Sequence, residues 1–309
     1  MKIIGKTEFD FVGKKKISFV ISAVIAVIGL IAIVQIARNA ANMGIDFTGG
    51  TSVQLKFSQP VPMAAARDAL VRHNLKEASL QEMKDGNRLL IKVGKSRLDV
   101  GNIADTIKGV FTKEFPDNDF TVESSIEIGP AIGDKLKKDT LIAVALSMIG
   151  IIVYIAWRFD FKFGVGATVA TLHDVLAMFA VFHLLGKEIN LLFITAVLTI
   201  AGYSLTDTVV VFDRIRENMR KNLNMSLPEV FNISINEVLS RSIITSLTTL
   251  LAASSLYLFG GEVIHDFALA LVVGIVVGVY SSIFIASPLV LGWEAGPRKS
   301  IARRSIESP

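Results

Sequence analysis

The chain contains no cysteine and only four histidines in 309 residues. Neither a disulfide framework nor a thiolate-ligated metal centre can form. The histidines, at 73, 173, 183 and 265, are too scattered to suggest a metal cage. Charge is also scarce, with 19% charged against 51% hydrophobic residues, and the mean hydropathy of +0.54 is too high for an ordinary soluble domain. No motif supplies a nucleophile with its base, so a classical enzyme has no support. The net charge of +4 would admit nucleic acid as a partner. The basic residues instead flank long apolar runs, where they set membrane orientation, so nucleic acid is discounted.

What is present is a series of apolar runs long enough to cross a bilayer, which takes about 20 residues as a helix. The first is 17–37, preceded by Lys2, Lys6, Lys14, Lys15 and Lys16. It is too long for a cleavable signal, and no small-residue cleavage site follows it. The next begins near Thr140 and ends at Trp157; further runs cover 163–185, 191–212, 242–259 and about 264–291. Short basic clusters at 158–162, at Arg214, Arg216, Arg220 and Lys221, and at Arg298, Lys299, Arg303 and Arg304 fall on one side. The expected fold class is therefore an α-helical polytopic membrane protein with six transmembrane helices and both ends in the cytoplasm. Its expected parts are a cytoplasmic segment 1–16, span one at 17–37, an extracytoplasmic domain at 38–139, spans two to six within 140–292 with a cytoplasmic loop 213–241, and a cytoplasmic tail 293–309. That loop carries an amphipathic helical pattern, PEVFNISINEVL.

The outer domain reads as an α+β unit. Residues 44–57 (GIDFTGGTSVQLKF) end in the alternation Val53, Leu55, Phe57 expected of a half-buried strand. Pro60 and Pro62 open a helix with Leu70 and Val71 on its apolar face. Two strands near 79–83 and 88–93 flank the turn Asp85-Gly86-Asn87. A helix over about 100–114 buries Ile103, Ile107, Val110 and Phe111, and 120–128 makes a last strand. The order βαββαβ predicts a ferredoxin-like fold. Gly49-Gly50 marks a tight turn or bulge rather than a phosphate loop, since no helix start follows it.

The informative residues lie inside the apolar runs. Asp207 sits in span four, six residues before the charged stretch that opens with Asp213 and Arg214 at its cytoplasmic end. That places it roughly 9 Å deeper at 1.5 Å per residue. A charge at bilayer depth costs on the order of 2.5–3.5 kcal/mol, so such a residue usually serves a function; the plainer reading is interhelical hydrogen bonding. Arg241 opens span five. It either snorkels to the interface or approaches Asp207 as half of a switchable ion pair that loads and releases a proton. His173 and Asp174, in span three, point about 100° apart, so at most one faces Asp207; a relay role and a helix-packing role both stand. Small residues recur in spans three, five and six, including Gly274-xxx-Gly278. They let helices pack closely and slide.

Five stretches carry a specific resemblance: GIDFTGG at 44–50, IGPAIGDKL at 128–136, WRFDFKFGVGA through LHDV at 157–175, GYSLTDTVVVFDRIREN at 202–218 and RSIITSLTTLLAASSLYLFGG at 241–261. Over essentially its whole length the chain resembles the SecF proteins of the SecD/SecF family, within the resistance-nodulation-division superfamily. The resemblance implies a non-enzymatic accessory subunit of the Sec preprotein translocase in the bacterial inner membrane. Such a subunit pairs with SecD and associates with the SecYEG channel, with YajC as a further partner, and acts on unfolded preproteins. It also implies protons as coupling ion and no cofactor, with Asp207 as the proton-carrying carboxylate and Arg241 as its functional partner. Two alternatives remain. A proton-coupled exporter of small molecules or lipids would predict larger outer domains and a substrate pocket. A non-conducting scaffold would predict that a neutral residue is tolerated at Asp207.

Overall fold

The computed structural model describes residues 9–294 except 39, 41, 84–86 and 95–102. The lysines at 2 and 6, most of the turn at 85–87, the start of the helix expected at 100 and the basic tail lie outside the described residues. The chain divides into two compact units, 38–145 with 186–194, and the remainder.

In the smaller unit, Ile45–Thr48 forms a single helical turn (α2), followed by β1 (Gly50–Phe57), α3 (Met63–Arg72), β2 (Ser79–Glu82), β3 (Arg88–Gly94), α4 (Ile103–Glu114) and β4 (Phe120–Ile128). The sheet is antiparallel throughout in the order β2-β3-β1-β4, the ferredoxin-like arrangement that the βαββαβ order predicts. Period-two alternation puts Val53, Leu55 and Phe57 of β1 and Leu89, Ile91 and Val93 of β3 into one core. The two helices cover it with Ala66, Ala69 and Leu70 from α3 and Ile107, Val110 and Phe111 from α4. Val71 departs from expectation. It is 38% exposed, because it stands a full 100° around α3 from Leu70.

Gly49 and Gly50 both have positive φ, 72° and 148°, which turns the chain sharply from α2 into β1. A Cβ on Gly50 would strike the Val93 carbonyl of the neighbouring strand. Residues 186–194 belong to this unit: Ile189 N–H donates to Asn42 O at 2.8 Å, and Lys92 pairs with Glu188 at 2.6 Å.

The larger unit is helical. Its helices are α1 (Lys15–Ala37), α6 (Phe161–Leu184), α8 (Leu227–Phe259) and α9 (Glu262–Ser281), with the later parts of α5 (Pro130–Arg158) and α7 (Leu191–Lys221), whose starts belong to the smaller unit. A π-helical turn, Ser282–Ala286, joins α9 to α10 (Ser287–Glu294). Among the described residues six helices are long and apolar enough to cross a membrane, α9 to α10 counting as one, and the protein is a multi-pass membrane protein. The stretch 228–239 is not a separate surface helix. It is the first third of α8, since nothing between Asn236 and Ser242 breaks the helix.

Small residues set the helix spacing. A Cβ on Gly29 of α1 would press into the Leu176 backbone of α6, and one on Gly166 of α6 would meet Val290. Gly274 and Gly278 of α9 seat against Ile200 and Ser204 of α7, so the GxxxG pair is an α7–α9 contact. By contrast α5 and α8 turn most of their apolar surface outward, with Leu141, Leu146, Val153, Leu247 and Leu251 each at least half exposed.

Candidate functional site

Helix α7 is started by two side-chain oxygens. Asn190 Oδ1 accepts from Phe193 N–H at 2.8 Å, and Asp46 Oδ2, far away in sequence, accepts from Leu191 N–H at 2.9 Å. From that fixed start the helix carries two functional faces past its middle.

On one face lies Asp207, partly buried. Its Oδ1 accepts from Ser242 Oγ of α8 at 2.6 Å, while Oδ2 is shielded from solvent and makes no hydrogen bond among the described residues. Arg241, the neighbour of Ser242, is exposed. It forms no ion pair with Asp207 among the described residues. In this arrangement Ser242, not Arg241, bonds the carboxylate.

On the adjoining face Ser204, one turn earlier, donates to Asp174 of α6. Asp174 is completely buried, and its Oδ2 also accepts from Ser281 Oγ at 2.9 Å. One carboxylate thus ties α6, α7 and α9 together. Beside it Thr208 and Ser282 share a hydrogen bond of 2.8 Å. Ser282 opens the π-helical turn, whose widened backbone lets Ser287 Oγ reach the Ser282 carbonyl at 2.9 Å. His173 places its Nδ1 3.3 Å from Asp174 Oδ1, the other oxygen of that carboxylate. Its ring lies 6.2 Å from that of Tyr280, whose hydroxyl meets Ser22 Oγ of α1 at 3.0 Å, and its Nε2 is buried without a partner. Neither His173 nor Asp174 bonds to Asp207.

At its far end α7 is fastened to its neighbours by charge. Asp213 pairs with Arg158 of α5. Arg214 bonds Glu237 of α8 and Glu217, each at 2.6 Å, and Asn218 reaches Ser234 and Glu237. Across α8, Asn232 accepts from the Phe11 and Val12 amides and donates to Asp10, so the chain entering α1 is bound to α8 as well. Among the described residues no three His, Asp or Glu side chains converge as a metal site would require.

The residue picks from sequence are thus distributed over three places: Asp207 with Arg241 nearby, Asp174 in its hydroxyl hub, and Asp213 with Arg214 in the charged end. Sequence reasoning missed Ser242, Ser204 and Ser281. Signals existed for two of them: Ser204 stands in the same GYSLTD stretch as Asp207, and Ser281-Ser282 is a hydroxyl pair inside an apolar span.

Two family models match the chain. One is described as protein export membrane protein SecD/SecF, C-terminal, and covers residues 107–296; the other, the SecD/SecF GG motif, covers 40–61. Protein translocase subunit SecF of Thermodesulfovibrio yellowstonii is 53% identical over 94% of this chain and 96% of its own length. The SecF subunit of Calditerrivibrio nitroreducens is 42% identical over 93% and 95%. Among solved structures, SecDF of Thermus thermophilus, a translocon-associated membrane protein, superposes with a TM-score of 0.80 at 36% identity. That match covers 93% of this chain but only 39% of the longer SecDF chain. On the whole-length relatives, the GG motif and the six-span fold together, the chain belongs to the SecD/SecF family of protein-export membrane proteins.

Proposed function

We propose that this chain is an accessory subunit of the preprotein translocase that, together with SecD, couples the proton motive force to late steps of protein export. SecYEG and YajC are its further partners, unfolded preproteins its substrates and the inner membrane its site, with both termini cytoplasmic. The observation that carries the reading is Asp207, a carboxylate in the middle of a spanning helix with one oxygen bonded and the other sheltered and free. Protonation removes its charge and weakens its hold on Ser242, since a neutral carboxyl is the poorer acceptor, so α7 and α8 gain a second way to pack. Arg241, beside Ser242 on α8, is the cation that would respond to that change of charge. One elementary charge is worth about 2.3 kcal/mol per 100 mV. At roughly 150 mV one proton then shifts a two-state equilibrium a few hundredfold.

A partner bundle is supported by the surface around this site. Tyr203 points its hydroxyl at Ser246 and Thr249 on an outward part of α7 and α8, where Thr245, Thr248 and Thr249 are exposed. Lipid is a poor neighbour for such a seam, and a second set of helices such as SecD's suits it.

The test is preprotein translocation into inverted vesicles carrying the wild-type chain or Asp207→Asn, with SecD co-expressed and with or without a proton gradient. Loss of the gradient-dependent increment, with ATP-driven translocation and complex assembly intact, is the expected result. An equal response of both proteins makes Asp207 a packing residue and the chain a scaffold.

A further inference from the structure

A cavity of about 410 Å³ opens where α5 and α7 end, lined by Arg158, Asp213, Arg216, Glu217, Arg220 and Lys221. Its size falls in the range of about 300–1,000 Å³ typical of small-ligand sites. The five residues from α7 recur at helical spacing, so one face of the helix past the apolar run is committed to it. Four cations face two carboxylates, and the carboxylates are already engaged. Asp213 takes Arg158, and Glu217 takes Lys221 at 2.6 Å along with Arg214. Arg216 has only a 3.8 Å approach to exposed Asp160, and Arg220 has no partner among the described residues.

The arginines are also oriented. The guanidinium carbons of Arg158 and Arg216 lie 5.0 Å and 5.6 Å from the centre of the same Phe159 ring, which is itself 5% exposed. A buried ring that holds two guanidiniums at one cavity reduces the entropy that they lose on binding an anion. The depth is informative too. Trp157, just before Arg158, is 84% exposed and Phe161 80% exposed, the placement of aromatic anchors at the level of lipid headgroups. No aromatic ring lines the cavity to stack a nucleobase.

We infer that this cavity binds the phosphodiester of an anionic phospholipid, of the phosphatidylglycerol class, between Arg216 and Arg220. Arginine suits a phosphate because its planar fork donates two parallel hydrogen bonds, and basic recesses between membrane helices are known headgroup sites. Free phosphate shares the chemistry, but it has no use for the apolar surface at Trp157 and Phe161.

Native mass spectrometry of the full-length chain in detergent tests this, with phosphatidylcholine, phosphatidylglycerol and inorganic phosphate as probes. The wild type is expected to retain phosphatidylglycerol over phosphatidylcholine. Arg216→Gln/Arg220→Gln should reduce that preference about thirtyfold, at the usual strength of two basic residues near a charged surface. Arg67→Gln/Lys76→Gln, which removes the same charge from the other unit, should leave it unchanged. Should the double variant fold poorly, Arg220→Glu alone, at an exposed residue without a partner, should still abolish the preference. Undiminished retention by either cavity variant overturns the proposal, and so does displacement of the lipid by millimolar inorganic phosphate.

Discussion

Ser242 holds Asp207, and Arg241 does not: the hydroxyl oxygen lies 2.6 Å from the carboxylate while the neighbouring guanidinium stays exposed. The two residues of α8 are consecutive, so they point about 100° apart. With the serine turned toward Asp207, the arginine is directed well away from it.

Ser242→Ala should therefore weaken coupling without unfolding the chain. Interhelical hydrogen bonds in membranes contribute about 0.6–1.7 kcal/mol, which sets a roughly three- to twentyfold loss in the gradient-dependent increment of vesicle translocation. Ser242→Thr keeps the hydroxyl and should retain most of it. A silent Ser242→Ala beside an inactive Arg241→Ala would show that the resting contact has no part in coupling.

Asp174 is expected to be a stability residue first. Replacing it by leucine removes the acceptor that Ser204 and Ser281 share, leaving Ser281 only the Gly278 carbonyl at 3.1 Å. The two lost bonds predict a destabilisation of about 1–3 kcal/mol. Asp174→Asn keeps an acceptor oxygen and should cost less. Thermal unfolding of the chain in detergent ranks the two; equal melting of Asp174→Leu and wild type would contradict the hub.

Gly29→Ala tests the α1–α6 contact. Its Cβ would meet the Leu176 backbone, which cannot swing aside as a side chain can. Overpacking of this kind costs typically about 1–3 kcal/mol. Gly150→Ala on α5 meets nothing within 4 Å and should be neutral or slightly stabilising, since alanine favours a helix over glycine. The pair of variants, melted side by side, separates close packing from helix propensity.

In the smaller unit the Arg72 guanidinium, and after it the His73 ring, hold the Glu114 carboxyl below its ordinary value of 4.5. A depressed carboxylate contributes stability that is fully present above its unfolded value and fades as pH falls through the folded one. Calorimetry of the chain should show the unit's melting fall below about pH 4.5. Glu114→Gln should flatten that slope. The effect is small, because the ion pair is exposed.

The sequence made the number of spans and the α+β order readable, because both rest on periodicity: long apolar runs in one case, and in the other the alternation of Val53, Leu55 and Phe57. It also brought out Asp207 and Asp174 as charges set in apolar surroundings. What it concealed depends on distant neighbours. Ser204, Ser242 and Ser281 resemble any small residue that lets helices approach, and only the fold shows that each donates to a carboxylate on another helix. Asp46 has the same character: nothing local in GIDFTGG announces that it caps a helix beginning at Leu191. The π-helical turn at Ser282–Ala286 holds no proline or glycine itself, and its one mark is Pro288 just beyond it.

The unbroken run of α8 has a mechanical consequence. Its first turn is fixed by the Ser226 amide bonded to the Glu229 carboxylate, and the helix continues without a break to Phe259. At 1.5 Å per residue its 33 residues make a rod of about 50 Å. Ser242 stands 16 residues from Ser226, about 24 Å along that rod. Rocking by about 5° around Ser242 would carry the Ser226 end some 2 Å sideways, simple lever geometry on the same rise. Asn232, gripping the chain that enters α1, lies on the moving arm. If Asp207 takes up a proton as proposed, that arm is a crank, and its motion reaches first the Glu237 contacts to α7 and then the entrance to α1.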